Sequence, residues 1–163
     1  MAPPNGRIKI NLDAGILPGG GAGLGAVARD SEGKFLFAAA KKAPGIYDPE
    51  DAEAMAVELG VQMAAQLNLM NPLLEMDCLN LVTDITQAER IRTEKGVICR
   101  NIRRLIGQMG EVSWQYAPRE ANVAAHIMAH VETIWNERSV WVDRPPIILL
   151  DQLNLDNVIL PAD

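Results

Sequence analysis

Residues Arg7–Ala14 read RIKINLDA, a stretch in which apolar and polar side chains alternate. Alternation with a period of two residues predicts a β-strand that is buried on one face. Ile8, Ile10 and Leu12 share the apolar face, and Asp13 falls on the opposite face. Aspartate is disfavoured in strands, so we expect Asp13 to have a partner or a chemical role.

The glycine-rich stretch that follows, PGGGAGLG (residues 18–25), predicts a hairpin loop. It lacks the Lys-Ser/Thr pair of a P-loop, contains no GxGxxG and leads into a strand, so it does not predict a phosphate-binding loop. Two further strand-like runs, GLGAVARD and KFLFAAAKK, are separated by the turn residues 31–33. Three strands with short connections favour an antiparallel meander.

The remaining elements alternate between helix and strand. Asp48-Pro49-Glu50-Asp51 predicts the start of a helix that continues to about Leu69. LLEMDC (73–78) predicts a short strand, 79–109 two helices broken near Gly96, VSWQYA (112–117) a last strand, and 119 to about 135 a last helix. The order βββαβααβα implies an α/β fold with a mixed sheet and helices on its faces.

The chain has 163 residues and is 48% apolar, which suits one domain, predicted here as residues 1–135. The tail, residues 136–163, contains Pro145-Pro146, which prevents a continuous helix, and several large apolar residues. We expect the tail to dock on the domain or on a second copy, which would make a homodimer. Neither a signal peptide nor a membrane span is evident, so the prediction is an intracellular protein of the nucleus or cytoplasm.

The formal net charge of −6 argues against a protein that coats nucleic acid without specificity. Residues 90–104 nevertheless carry six basic residues against Glu94 alone, a local charge of +5 that leaves −11 for the rest. This basic cluster predicts either a nucleic-acid contact or a solvated helix face. Cys78 and Cys99 are too few for a disulfide framework and are expected to be reduced.

Three acids on separate elements are candidate metal ligands. Asp13 lies in the first strand, Glu53 in the first turns of the long helix on its packed side, and Asp77 at the end of the fourth strand. Crowded carboxylates raise each other's pKa unless cations neutralise them, and oxygen ligands suit Mg²⁺ or Mn²⁺. The alternative is that these are surface acids that never meet.

The two histidines of the chain lie four residues apart in REANVAAHIMAH, Arg119–His130. His126 and His130 could be metal ligands, a catalytic base or packing residues. Two histidines without a third ligand make a poor zinc site, so we expect His130 to pack or to face solvent.

Five blocks, in order, carry a family resemblance: KINLDAG, GAGLGAVARDSEGKFL, AEAMAVELG, LLEMDCLNLV and REANVAAHIMAH. Over residues 7–130 the chain resembles the ribonuclease H-like domains of plant proteins and plant retroelements, which are related to type-1 ribonuclease H. The resemblance implies a five-stranded mixed sheet of order 3-2-1-4-5. It also implies a metal-dependent endoribonuclease that cleaves the RNA strand of RNA–DNA hybrids with two divalent ions, Mg²⁺ or Mn²⁺.

Carried over by position, the resemblance makes Asp13, Glu53 and Asp77 catalytic metal ligands. Asp13 would bridge both ions, and Glu53 would help to place the attacking water. The basic cluster, with Arg100, Arg103 and Arg104, would bind the hybrid together with Asn122.

Two departures from the family pattern bear on activity. His126 occupies the place of a fourth metal-site acid, and a neutral imidazole binds Mg²⁺ poorly while suiting Mn²⁺ better. Tyr116 or a neighbour stands where many members have a histidine before the last helix. The prediction is a slow nuclease that still counts His126 among its catalytic and metal-binding residues. The alternative is a weak or inactive module that binds nucleic acid or a protein partner.

Overall fold

The computed structural model describes Pro3 and residues 6–162, and in it one mixed β-sheet organises the chain. Its strands are β1 (Ile8–Ile16), β2 (Ala22–Arg29), β3 (Phe35–Ala43), β4 (Pro72–Met76), β5 (Ser113–Tyr116) and β6 (Arg138–Val142). The order across the sheet is β5-β4-β1-β2-β3-β6. β1, β2 and β3 form the predicted antiparallel meander, and β4 and β5 run parallel to β1. The predicted order 3-2-1-4-5 is therefore confirmed.

The sheet has one strand more than the five predicted. β6 comes from the predicted tail and pairs antiparallel with β3, from Phe37 opposite Val142 to Lys41 opposite Arg138. An outer strand leaves a row of backbone groups unpaired, and β6 satisfies that row on β3. Short stretches with mixed burial give a weak strand signal, which is why the sequence did not reveal β6.

The described part of the chain has five α-helices: α1 (Pro49–Gln66), α2 (Asn80–Thr86), α3 (Glu94–Ile106), α4 (Val123–Ala129) and α5 (Leu150–Leu155). α1 packs on the sheet through its Gly60, which lies against Ile10 and Leu12 of β1. α4 packs on the sheet where Gly25 of β2 lies against the backbone of Ala125. Because neighbouring residues of a strand face opposite sides, α1 and α4 lie on opposite faces. None of the described helices is long and apolar enough to cross a membrane.

Two helix boundaries differ from the sequence prediction. The break between the helices of residues 79–109 falls between Thr86 and Glu94, where a 3-10 turn covers Ala88–Arg90, and Gly96 lies inside α3. A Cβ on Gly96 would stand only 2.1 Å from the Ile91 carbonyl oxygen, so this glycine permits close packing and does not end a helix. The last helix of the domain ends at Ala129 and not near 135, and Trp135 already forms a bridge to Lys42 of β3.

The two faces of the sheet bury separate apolar clusters. The larger lies under α1 and α3 and includes Ile10, Leu12 and Val57. The smaller lies under α4 and takes in Leu149 and Leu153, which are 0% and 1% exposed. Leucines of the predicted tail thus pack on the same domain that precedes them.

Candidate metal centre

Three carboxylates converge at one edge of the sheet. Asp13 lies in β1, Asp77 directly follows β4, and Glu53 lies in the first turns of α1. Since β1 and β4 are parallel neighbours, their carboxyl ends reach the same edge. One carboxylate oxygen from each residue lies within 4.8 Å of the other two. The structure thus brings together the three acids that the sequence singled out.

Local sequence explains how α1 presents Glu53. The Asp48 side chain accepts a hydrogen bond from the Glu50 backbone N–H at 2.8 Å, and Pro49 occupies the first turn. This N-cap starts the helix at a defined residue. Glu53 then falls on the side of α1 that faces the sheet.

The acidic cluster is partly withdrawn from water. Asp13 is 4% exposed, and the Glu53 Oε2 atom is buried without a hydrogen-bond partner among the described residues. An unpartnered buried carboxylate oxygen costs free energy. Asp77 is accessible to solvent, so the cluster opens to the surface on that side.

Burial and mutual repulsion change the acidity of the cluster. Burial, followed by the charges of Asp77 and Asp13, raises the pKa of Glu53 to about 8. Burial also raises the pKa of Asp13, although the hydrogen bond from His126 opposes the rise. Without a cation, the site therefore holds a proton near neutral pH.

The residues present fit a divalent cation. Three converging carboxylates supply the hard oxygen ligands that Mg²⁺ and Mn²⁺ prefer. The unpartnered Oε2 of Glu53 is a donor atom that the protein itself leaves unused. A cation here would supply the positive charge that the cluster lacks.

His126 lies beside this cluster and contacts it through Asp13. Its Nδ1 is 2.9 Å from Asp13 Oδ2, and its side chain is 39% exposed. An ionised carboxylate only accepts hydrogen bonds, so Nδ1 donates to it. The three-acid cluster does not include His126. The structure therefore gives His126 an orienting contact to Asp13, while its role as a metal ligand stays a prediction.

His130 is exposed and contacts His126. Its Nδ1 bonds to the His126 carbonyl at 2.9 Å, and the two imidazole rings lie 4.4 Å apart. The ring also packs against Gly15, where an added Cβ would stand 3.4 Å from it. These contacts agree with a packing residue at the solvent edge.

Asn122, predicted to contact substrate, is 3% exposed. It donates to the Leu12 carbonyl at 2.7 Å and accepts from Asn11 at 3.0 Å. These bonds attach the start of α4 to β1, one residue from Asp13. Asn122 thereby holds the helix that carries His126, and its substrate contact stays a prediction.

The basic cluster divides into internal and exposed members. Arg100 donates from Nη1 to the carbonyls of Ala88 and Ile91, both at 2.9 Å, and so closes the segment between α2 and α3. Lys95 pairs with Glu50 and Asp84 at 3.0 Å. Exposed guanidinium groups remain on Arg90, Arg92, Arg103 and Arg104.

Sequence reasoning missed Arg119 beside the acidic cluster and two aromatic residues on the hairpin loop. Arg119 is exposed, and its charge acts on Glu53 strongly enough to oppose the rise in the pKa of that acid. Tyr47 and Trp135, 70% and 43% exposed, lie against Gly20 and Gly21 of the hairpin loop. In the sequence, only the Arg-Glu pair at 119–120 could have pointed to Arg119. The contacts of Tyr47 and Trp135 with the hairpin loop form only when the chain folds.

The fold is shared with several solved structures. Ribonuclease H1 from Halobacterium salinarum NRC-1 superposes with a TM-score of 0.66 at 19% identity, over 75% of this chain and 93% of that one. The N-terminal ribonuclease H domain of Rv2228c from Mycobacterium tuberculosis gives 0.65 at 20%, over 75% and 89%. LC11-RNase H1 in complex with an RNA/DNA hybrid gives 0.59 at 22%, over 74% and 92%.

Sequence comparisons place the chain in a family. No curated protein sequence matches it significantly. Residues 15–131, well over half of the chain, match the family described as Reverse transcriptase-like. Together with the strand order, this match confirms the resemblance to ribonuclease H-like domains, although not its plant origin. The chain belongs to the reverse transcriptase-like family and has the ribonuclease H-like fold.

Proposed function

We propose that this protein is a metal-dependent endoribonuclease that hydrolyses the RNA strand of RNA–DNA hybrids. The observation that carries the proposal is the convergence of Asp13, Glu53 and Asp77 within 4.8 Å in a ribonuclease H-like fold. The structural relative LC11-RNase H1 has been solved with an RNA/DNA hybrid, which supports the choice of substrate.

The three acids would hold the cations, Mg²⁺ or Mn²⁺. When bound, two divalent ions would supply an activated water and stabilise the leaving oxygen of an in-line displacement. Asp13, the most buried of the three acids, would hold both ions. Glu53, with its unpartnered oxygen, would orient the attacking water.

His126 would act on the reaction through Asp13. The 2.9 Å hydrogen bond restricts the orientation of the Asp13 carboxylate and opposes the rise in its pKa that burial causes, which favours the ionised form that binds metal. The same imidazole adds no negative charge to the site. The missing negative charge would make the enzyme slow, and His126 as a nitrogen ligand would favour Mn²⁺.

The exposed arginines of the basic cluster and Arg119 would bind the phosphates of the hybrid. Arg103 and Arg104 extend from the last turns of α3 and are exposed, and each spends one N–H within the protein, on the Thr86 carbonyl and on the Asn101 side chain. Their other N–H groups would reach phosphates. Arg100 would act indirectly, because it holds the segment before α3 in place. Specificity for the hybrid would come from the shape and the 2′-hydroxyls of its minor groove.

The test is cleavage of an RNA–DNA hybrid, labelled on the RNA strand, in Mg²⁺ and in Mn²⁺. The wild type should cleave, whereas Asp13→Asn and Asp77→Asn should lose activity by about a hundredfold or more. Glu137→Gln, which removes an exposed acid of the tail, is the matched control and should retain full activity. If the wild type cleaves no faster than the two asparagine variants in either metal, the proposed nuclease activity is refuted.

The same assay addresses the alternative of an inactive binding module. Tight hybrid binding without cleavage would favour the inactive binding module. The argument for that module is that His126 replaces the fourth acid of the site. The substitutions Arg103→Ala and Arg104→Ala should weaken hybrid binding and reduce its dependence on salt concentration. Unchanged affinity would mean that these arginines are only a solvated surface.

A substitution at His126 tests its part in the site. His126→Asp should raise the rate in Mg²⁺, since it adds an oxygen ligand and a negative charge next to Asp13. An unchanged or lower rate would remove His126 from the active site. A protein partner, a homodimer through residues 136–163, and residence in the nucleus or cytoplasm stay predictions.

A further inference from the structure

A second site lies on the α4 face of the sheet, in a partly enclosed cavity of about 210 Å³ that does not include the acidic cluster. β1, β2 and β4 form its floor, and the start of α4 and the segment around α5 form its walls. Its polar lining residues are Lys9, Asn11, Arg29, Glu75, Asn122 and Asp156. A concentration of charged groups in so small a space requires an explanation.

Two cations stand side by side on the floor of this cavity. Lys9 of β1 and Arg29 of β2 are directly opposite each other in the strand register, and they are 8% and 9% exposed. Like charges in opposite positions destabilise a sheet unless something neutralises them. Glu75 neutralises Lys9, with an Nζ to Oε2 distance of 2.8 Å.

Arg29 has no such neutralising partner. None of the ion pairs among the described residues includes it. Its Nη1 donates to the Asp156 backbone carbonyl at 3.3 Å, and its Nε is buried without a hydrogen-bond partner. The Asp156 carboxylate accepts instead from Gln152 at 3.0 Å. A buried guanidinium without an anion is costly, and a buried unpaired N–H adds to the cost.

The geometry points to a binding site for a small oxyanion, a phosphate or a carboxylate, held by the Arg29 side chain in this cavity. Nε–H and the adjacent Nη2–H form one edge of the guanidinium, and this edge matches two oxygens of one oxyanion. Nη1 is already bonded to the protein, and the buried Nε–H on this edge has no acceptor among the described residues.

The backbone and the size of the cavity support a small ligand. The pairing of β2 with β3 shifts register between Ala28 and Arg29, and such an irregularity redirects the side chain next to it. A volume of about 210 Å³ is below that of most cofactor sites, which begin at roughly 300 Å³. A nucleic-acid backbone is too large for it, so the occupant is a free ion or a small metabolite with an anionic group.

The direct test is titration of the whole protein with inorganic phosphate, and separately with acetate, by calorimetry at constant ionic strength with EDTA. Without metal, the acidic cluster repels both anions. Saturable binding to one site is expected for at least one anion, weakened about tenfold or more in Arg29→Lys, which keeps the charge but loses the edge. Arg144→Gln, which changes an exposed arginine, should bind as the wild type does.

A second measurement needs no variant. In ¹H–¹⁵N spectra of the wild-type arginine side chains, the Nε–H resonance of Arg29 should move during the titration and reach a plateau. No saturable binding of either anion up to roughly 10 mM, tenfold above a 1 mM site, would overturn the proposal. Binding that is unchanged in Arg29→Lys, or an Arg29 resonance that stays in place at saturation, would also overturn it.

Discussion

The raised pKa of Glu53 predicts a specific dependence of stability on pH in the absence of metal. A free glutamate loses its proton near pH 4.5, but in the folded protein Glu53 keeps it up to about pH 8. Between these values the folded state binds more protons than the unfolded state, so the free energy of unfolding must fall as pH rises. Glu53→Gln cannot titrate, so this fall should disappear.

The size of the effect follows from the two pKa values. A change from 4.5 to about 8 corresponds to roughly 5 kcal/mol, at 1.36 kcal/mol for each tenfold change in proton affinity. The Glu53 side chain keeps some contact with solvent, which screens part of this cost. We therefore expect Glu53→Gln to gain roughly 2–5 kcal/mol over the wild type between about pH 5 and pH 8.5.

The assay is urea unfolding in EDTA, followed by tryptophan fluorescence at several pH values. Glu137→Gln, an exposed acid of the tail, serves as the control and should parallel the wild type at every pH. In a parallel series without EDTA, added Mn²⁺ should stabilise the wild type more at about pH 8 than at pH 6, because the ligands must be deprotonated. A difference between wild type and Glu53→Gln that is the same at all pH values would refute the reasoning.

Three further predictions concern the elements that hold the site, each measured by urea unfolding. Gly25→Ala should destabilise the protein by about 3 kcal/mol, since its Cβ would stand 2.3 Å from the Ala125 carbonyl oxygen of α4. Asp48→Ala removes the N-cap of α1 and should cost about 1 kcal/mol. Arg100→Met leaves two backbone carbonyls without their donor and should cost about 1–3 kcal/mol, whereas Arg103→Met should stay within about 0.5 kcal/mol.

Each of these three predictions would be contradicted by a specific result. Wild-type stability in Gly25→Ala would mean that α4 can move away from the sheet at little cost. No loss in Asp48→Ala would show that proline alone starts α1. Equal effects of the two arginine substitutions would contradict the division of the basic cluster into internal and exposed members.

Much of the candidate site could be predicted from local pattern. The alternation around Asp13, the N-cap before Glu53 and the end of a strand at Asp77 each place one acid on one element. Parallel pairing of β1 and β4 then brings two of them to the same edge. His126 was harder to interpret, because sequence spacing does not tell which atom an imidazole contacts. Only the fold shows that Nδ1 meets Asp13.

The sequence by itself determined the order of the elements and singled out the three acids, because these follow from periodicity, turn residues and chain connectivity. The order of the first five strands across the sheet came from the family resemblance. Tertiary structure alone decided that the tail adds β6 to the sheet, that Arg100 and Asn122 bond within the protein, and that Arg29 is buried beside Lys9 without an anion. Those facts depend on contacts between residues far apart in the chain, and such contacts leave no periodic signal in a single sequence.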